Sequence, residues 1–217
     1  MRIWECPTQF IPYSFDEVVS VFWNRYPNSK ANHVISEDVL ERKIDGNKII
    51  TKKLVVKKGA SFLKAAPKWV SKHAKVQIMP TIEESVFDRV TRRLTTYTRN
   101  VAWASIFRMH ERCVYLPAEV INYNETTPSP CTSVNRAVFV NVNYNAIDSL
   151  IERVLVLSFR NSVKKTVAGF MERLEEKYGA PVSGVAFHSG GKISQKAAAI
   201  KGKLLHNSKL GFEKSLS

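Results

Sequence analysis

The sequence predicts an α+β fold in which a long C-terminal helix covers an antiparallel sheet of about seven strands. Two observations predict it. Strand-forming runs separated by turn signals fill residues 34–142, and apolar residues recur at steps of three or four over residues 146–178. A helix on one face of a curved antiparallel sheet leaves a space between the two layers. We therefore expect a ligand cavity rather than an active-site cleft on a parallel sheet.

The N-terminal region predicts one strand followed by one helix. Residues 2–10 contain strand-forming types from the start, so we expect no presequence before the fold. Ser14 and Glu17 have the spacing of a capping box, which marks a helix start. The segment Arg25-Tyr26-Pro27-Asn28 ends the helix. Its apolar face consists of Phe15, Val18, Val21 and Phe22.

The central region predicts six strands. Residues 34–44 and 48–57 form a hairpin across a turn that contains Asp45 and Gly46. The other four strands are predicted at residues 76–86, 92–101, 106–116 and 133–142. Between the hairpin and these four strands, residues 58–73 break the strand pattern with Gly59 and Pro67, so we expect a mobile or short-helical loop there. This loop mixes apolar and cationic residues, among them Phe62, Leu63, Lys64, Lys68 and Trp69.

The C-terminal region predicts a long helix from about Ala146 to Tyr178, followed by a tail. The helical apolar stripe consists of Ile151, Leu155, Phe159, Val163, Val167, Phe170, Leu174 and Tyr178. Residues 179–217 are rich in Gly, Ser, Ala and Lys and have little apolar periodicity. We therefore predict one domain over residues 1–178 and a basic, disordered tail over residues 179–217.

The chain is strongly basic, with 33 Lys and Arg against 19 Asp and Glu and a formal net charge of +14. Candidate partners are therefore polyanions, namely nucleic acid, an anionic membrane or a phosphorylated ligand. Three widely spaced cysteines, Cys6, Cys113 and Cys131, predict reduced thiols rather than a disulfide framework or a zinc site. No run of 18 apolar residues predicts a transmembrane helix.

Two other function classes remain open. A nucleic-acid-binding module would explain the charge, although no RRM, KH, zinc-finger or helix-turn-helix pattern is present. An enzyme is disfavoured because the sequence has no P-loop, dinucleotide-binding glycine pattern, nucleophile elbow or HExxH. His110 and Cys113 would point to opposite faces of a strand, so they do not form a catalytic pair. We expect no catalytic residue, no metal and no cofactor.

Cations that border apolar surface are the candidate ligand-binding residues. On the second hairpin strand, Lys53 and Lys57 share one face, while Lys52 and Lys58 share the other, and the sequence does not say which face is internal. Arg25 ends the first helix. The long helix carries Arg160, Lys164 and Lys165 beside its apolar stripe. Arg and Lys would bind the phosphate of an amphiphile, although such lysines also occur on solvated faces.

Six strings in order along the chain carry a family resemblance. They are FWNRYPN at 22–28, HVISEDVLER at 33–42, KKLVVKK at 52–58, PKW at 67–69, HERCVY at 110–115 and FRNSVKKTVAGF at 159–170. Together these strings resemble the PRELI family over about residues 1–178. The chain departs from the family pattern at Ser29-Lys30, where members often have Pro-Tyr, and at Lys53, where Arg is common.

The resemblance implies a START-like fold, with a curved sheet enclosing a lipid pocket closed by a long helix and a lid loop. It implies transfer of a phospholipid between the mitochondrial outer and inner membranes across the intermembrane space, as supply of a cardiolipin precursor. Phosphatidic acid is favoured over phosphatidylserine. The implied partners are an anionic membrane surface and a small helical twin-CxxxxxxxxxC protein in a heterodimer, and not nucleic acid.

The resemblance also assigns roles to residues. Arg25, Lys53 and Lys57 match head-group positions of the family. Arg160, Lys164 and Lys165 are further head-group candidates from their place beside the apolar stripe alone. The lid residues Phe62, Leu63, Lys64, Lys68 and Trp69 would dock on the membrane. The concave sheet and the helix stripe are expected to offer apolar surface to the acyl chains. We expect alanine at Arg25, Lys53 or Lys57 to lower transfer while the fold stays intact.

Overall fold

The computed structural model describes residues 2–58, 78–102, 104, 107–120, 129–142 and 148–181. In this part of the chain, one antiparallel sheet of eight strands packs with two helices. The elements are β1 (Arg2–Glu5), β2 (Gln9–Ile11), α1 (Phe15–Phe22), β3 (Val34–Asp45), β4 (Lys48–Lys58), β5 (Ile78–Asp88), β6 (Arg93–Asn100), β7 (Phe107–Val120), β8 (Ser129–Val142) and α2 (Asp148–Tyr178). The predicted α+β order is confirmed.

The sheet has the spatial order β1-β8-β7-β6-β5-β4-β3, and β2 also pairs with β8. Strands β1 and β2 are therefore two pieces of one edge strand. Residues 6–8 interrupt it where Pro7 has no N–H to donate to the ladder. The backbone N–H of Cys6 still donates to the Arg136 carbonyl at 2.8 Å. The sheet thus has seven strand positions, as the sequence predicts.

Helix α1 begins with the predicted capping box. The Ser14 backbone N–H donates to Glu17 Oε2 at 2.7 Å, and the Glu17 backbone N–H donates to Ser14 Oγ at 3.4 Å. These reciprocal bonds satisfy amide donors that the first helical turn leaves free. The helix buries the apolar face predicted for it, which consists of Phe15, Val18, Val21 and Phe22.

Two strands are longer than the sequence predicts. Strand β7 continues to Val120, and β8 begins at Ser129 instead of Ser133. The pairing of the two strands continues through Pro117, opposite Thr132, and Pro130, opposite Glu119. Proline normally ends a strand in a sequence-based prediction. Here the long antiparallel ladder overrides that local preference.

The interior contains two apolar clusters, one at each end of α2. The first joins α1 and the sheet to Phe170 and Leu174 near the C-terminal end of α2. The second joins β7 and β8 to Leu155 and Val156 near its N-terminal end, with Trp4 and Phe159 ring centroids 5.9 Å apart at its margin. The helix is therefore fixed at both ends. A space remains between its middle and the sheet.

Gly169 brings α2 against the turn that follows α1. A Cβ built at Gly169 would collide with the side-chain amide of Asn28, well inside van der Waals contact. Asn28 cannot move freely, because its Nδ2 donates to the Arg25 carbonyl at 2.8 Å and its Oδ1 accepts from the Lys30 backbone N–H at 3.1 Å. One turn along, Glu172 accepts hydrogen bonds from the backbone N–H and the hydroxyl of Ser29.

We expect Gly169→Ala to lower the free energy of unfolding by about 1 kcal/mol. Overpacking of a tight contact costs about 1–3 kcal/mol, whereas alanine in a helix interior gains about 1 kcal/mol over glycine. Urea denaturation measures the difference. In an Asn28→Ala background the clash is absent, so the same substitution should raise stability. An equal gain in both backgrounds would contradict the close contact.

Candidate functional site

A cavity of about 370 Å³ lies between the concave face of the sheet and the middle of α2. This volume is within the range of small-ligand sites. Helix α2 contributes an apolar wall made of Leu155, Phe159, Val163, Val167 and Phe170. Around it, Ile11, Phe22, Val55, Met79, Phe107, Met109 and Val134 add apolar surface.

The sheet side of the cavity is mixed, because the middle of the sheet adds polar residues to the apolar ones just named. Neighbouring strands place Glu83, Thr98 and Glu111 side by side in one row. The next row contains Ser85, Thr96, Cys113 and Arg136. The cause is the alternation along each strand, since the inward-facing positions of β5 and β6 at these rows are polar. We call Glu83, Thr96, Thr98, Glu111 and Arg136 the polar floor.

Arg25 lines the cavity, but its charge is already paired. Only 7% of the residue is exposed, and its Nη2 donates to Glu83 Oε2 at 2.5 Å. Its Nη1 donates to the Phe22 carbonyl at 2.8 Å, and its guanidinium lies 4.4 Å from the centroid of the Phe22 ring. Burial is the largest single effect and would lower the pKa of Arg25. The summed interactions with Glu83, first among them, and with Tyr26, Glu37 and Tyr115 outweigh it and raise the pKa well above the usual value.

Lys53 faces inward but does not reach the cavity. The residue is 3% exposed, and its Nζ donates to the Trp23 carbonyl at 2.7 Å and to Glu37 Oε1 at 3.0 Å. These bonds connect β4 to the end of α1 and to β3. The structure therefore places Lys53 in the support of the cavity wall, and the head-group role predicted for it stays a prediction.

Arg136, which is buried, and Glu111, which is partly buried, form an ion pair within the polar floor. Arg136 Nη1 donates to Glu111 Oε1 at 2.6 Å, and Cys113 Sγ donates to the same oxygen at 3.3 Å. The sequence did not predict this pair. A signal was present, because strand alternation puts Glu111 and Cys113 on one face of β7, but only the cross-strand register brings Arg136 to it.

Lys57, Lys165 and His33 form what we call the basic cluster at the rim of the cavity. All three line it, Lys57 is half-buried, and Lys165 and His33 are exposed. Among the described residues, neither lysine forms an ion pair. Their charge therefore remains available to an anion, in contrast to that of Arg25. The structure brings the predicted residues Lys57 and Lys165 together. His33 was not predicted as a site residue, because the histidines of the sequence have no metal-ligand spacing.

The other predicted residues lie elsewhere. Arg160 and Lys164 are exposed on α2 and do not line the cavity, and the Arg160 guanidinium lies 5.5 Å from the Trp4 ring centroid. The predicted lid residues Phe62, Leu63, Lys64, Lys68 and Trp69, and the tail beyond residue 181, lie outside the described residues. The head-group role of Arg160 and Lys164 and the docking role of the lid stay predictions.

His33 reports the charge of the basic cluster. Its pKa is lowered by partial burial and by the positive charges of Lys57 and Lys165, which disfavour the imidazolium. We expect Lys57→Gln to raise the pKa of His33 and added phosphatidic acid to raise it further. NMR titration of the His33 ring measures both effects. Lys52→Gln, on the other face of β4, should leave this pKa unchanged, and an equal response to both substitutions would contradict the cluster.

The cysteines behave as packed thiols. Cys6, Cys113 and Cys131 are all free, as the sequence predicts. Burial raises the pKa of Cys113 far above the usual range and that of Cys131 to about 11, so neither is a ready nucleophile at neutral pH.

Within the described residues there is no cluster of His, Cys, Asp or Glu that would hold a metal ion. The described helices include none with the length and hydropathy of a membrane span.

Comparisons with known sequences all identify the same family. A model of the PRELI-like family matches residues 16–180. PRELI domain-containing protein 1, mitochondrial, of Gallus gallus is 26% identical over 187 residues, covering 84% of this chain and 81% of the relative. Protein UPS1, mitochondrial, of Saccharomyces cerevisiae is 30% identical over 176 residues, covering 78% of this chain and 93% of the relative.

Comparison with solved structures concerns the fold alone. The Zhui aromatase/cyclase of Streptomyces sp. R1128 superposes with a TM-score of 0.50 at 10% identity, covering 81% of this chain and 94% of that chain. The protein TTHA0849 of Thermus thermophilus also gives a TM-score of 0.50, at 13% identity, covering 82% of this chain and 99% of that chain. The chain therefore has the predicted START-like architecture, a curved antiparallel sheet with a long C-terminal helix.

Proposed function

Because this chain belongs to the PRELI-like family, we propose that it is a phospholipid transfer protein that shuttles phosphatidic acid between the mitochondrial outer and inner membranes. The observation that carries this proposal is the basic cluster at the rim of a cavity with an apolar wall. A phosphorylated amphiphile needs both features in one site. The proposal extends to the supply of a cardiolipin precursor.

The basic cluster supports a phosphate ligand. A phosphomonoester carries between one and two negative charges near neutral pH. Lys57 and Lys165 provide two cationic donors without competing carboxylates among the described residues. Charge-assisted hydrogen bonds of this kind are stronger than neutral ones and offset the loss of head-group hydration.

The apolar wall of α2 supports the acyl chains. Each methylene that leaves a bilayer for water loses about 0.8 kcal/mol. A carrier must therefore replace the bilayer with apolar surface along the chain. Val163, Val167 and Phe170 on successive turns of α2 provide such a surface next to the basic cluster. Lys165 on the same helix would bind the head group while these residues contact the chains.

The family membership supports a proposal for the compartment and the partners. Relatives in Gallus gallus and Saccharomyces cerevisiae carry mitochondrial names. We place this chain in the intermembrane space, in a heterodimer with a small helical twin-CxxxxxxxxxC protein, where it docks reversibly on anionic membranes. We assign it neither an enzymatic activity nor a cofactor nor a nucleic-acid partner, since the charge of the basic cluster borders a cavity.

A vesicle transfer assay tests the proposal. Donor vesicles carry labelled phosphatidic acid, phosphatidylserine or phosphatidylcholine, and the full chain is supplied with acceptor vesicles. We expect phosphatidic acid to move at least about tenfold faster than phosphatidylcholine, because one charge-assisted hydrogen bond is equivalent to about that factor. Faster movement of phosphatidylserine would replace phosphatidic acid as the ligand. No movement of any phospholipid would refute the transfer function.

A further inference from the structure

The polar floor lies opposite the apolar wall of α2, and the two surfaces are complementary to different parts of a ligand. Within the floor Glu111 pairs with Arg136, while Glu83 pairs with the neighbouring Arg25, and each pair is neutral overall. Among the described residues, three buried polar atoms at the cavity lack a hydrogen-bond partner, namely Gln9 Oε1, Glu83 Oε1 and Arg136 Nε. Hydrogen-bonding capacity on this side of the cavity is therefore incompletely used by the protein.

Acyl chains do not fit the floor. Hydrocarbon packed against the charged and hydroxyl groups that line the floor would offer them no hydrogen bond, which is costly. A phosphate does not fit either. Any anion near Arg136 would also approach Glu111, and any anion near Arg25 would approach Glu83, so each attraction is opposed by a carboxylate. The floor is instead complementary to uncharged polar groups that donate or accept hydrogen bonds.

We propose that the polar floor binds the ester-linked glycerol part of the phospholipid, so that the ligand lies with its ester carbonyls toward the sheet and its acyl chains toward α2. Arg136 supplies the donor, and the Thr98 hydroxyl, across the sheet next to Glu111, is a second one in the cavity lining. This inference rests on the proposed lipid-transfer function and deepens it. It assigns the glycerol esters to a site separate from the basic cluster that takes the phosphate.

The ester groups offer a direct test, because an ether lipid keeps the phosphate and the chains but lacks the two carbonyls. Transfer of dioleoyl phosphatidic acid and its dialkyl ether analogue is measured with the full chain and with the double variant Arg136→Met/Glu111→Leu. Replacing both partners of a buried ion pair with apolar residues is often neutral for stability. Thermal unfolding confirms that the variant folds.

We expect the ratio of the ester-lipid to the ether-lipid transfer rate to be about tenfold higher for the wild-type chain than for the double variant. One hydrogen bond to a charged donor has about that effect. Comparing the ester-to-ether ratio between proteins cancels the different tendencies of the two lipids to leave a vesicle. An unchanged ratio in the double variant would overturn the inference and leave the transfer function standing. Failure of the wild-type chain to move either lipid would overturn both.

A second pair of variants keeps the test independent of the ion pair. Thr98→Val removes one hydroxyl from the floor with little change in shape, and Thr95→Val makes the same change on the outward face of β6. We expect Thr98→Val to reduce the ester preference by about threefold and Thr95→Val to leave it unchanged. Equal ratios in these two variants would count against a role of the floor in ester binding.

Discussion

Replacing Arg25 with Met will lower the free energy of unfolding by about 3–5 kcal/mol, because it leaves the carboxylate of Glu83 buried without its partner. Glu83 is 7% exposed, and its Oε1 already lacks a hydrogen-bond partner among the described residues. The substitution also removes the hydrogen bond to the Phe22 carbonyl and the stacking on the Phe22 ring. Urea denaturation measures the loss.

Two controls separate this effect from a general loss of positive charge. The double variant Arg25→Met/Glu83→Leu removes the buried charge with its partner and should recover most of the stability. Arg92→Met breaks an ion pair with Asp16 that is solvent-exposed, so it should change stability little. A double variant as unstable as Arg25→Met would show that the ion pair is not the cause.

The burial of Arg25 and Lys53 determines which variants can test head-group binding. The sequence-based hypothesis that alanine at Arg25 or Lys53 leaves the fold intact conflicts with their burial and their structural hydrogen bonds. Loss of transfer in these variants would follow from loss of the fold alone. Lys57 and Lys165 are the better targets, since neither has an ion-pair partner among the described residues.

The double variant Lys57→Gln/Lys165→Gln will slow the transfer of phosphatidic acid by about 100-fold. Each lysine provides one charge-assisted hydrogen bond to the phosphate, and each such bond is equivalent to about a tenfold change. The vesicle assay measures the rate. Transfer of phosphatidylcholine should change much less, because its phosphate is bonded to choline and the pair has no net charge.

A matched control has the same loss of charge away from the cavity. Lys52→Gln/Lys177→Gln also changes one lysine on β4 and one on α2, but neither side chain lines the cavity. General attraction to an anionic membrane falls equally in both double variants. If both slow transfer to the same extent, the lysines act on the membrane surface and not on the head group.

The sequence predicted the fold well because the fold depends on local and periodic signals. The capping box at Ser14 and Glu17, the turn at Gly46 and the helical stripe of α2 each specify an element without reference to the rest of the chain. The resemblance to the PRELI family added the curved sheet and the pocket. Strand ends were less accurate where pairing overrides proline, as at Pro130.

The site was predicted less well because it depends on partners that are distant in the sequence. Arg25 and Lys53 look like free cations in the sequence, but Glu83 and Glu37 neutralise them across 58 and 16 residues. The pairing of Arg136 with Glu111 requires the register of β7 and β8. Lys57 and Lys165 were found because each borders an apolar run, although only the fold shows that they share one rim with His33.

A crystal structure of the full chain with bound phosphatidic acid would test the proposed binding mode most directly. We expect the phosphate oxygens within hydrogen-bonding distance of the Nζ atoms of Lys57 and Lys165, and the acyl chains in contact with Val163 and Val167. A phosphate bound on an outer surface of the protein, or acyl chains lying on the Arg136–Glu111 pair, would contradict the binding mode that the cavity supports.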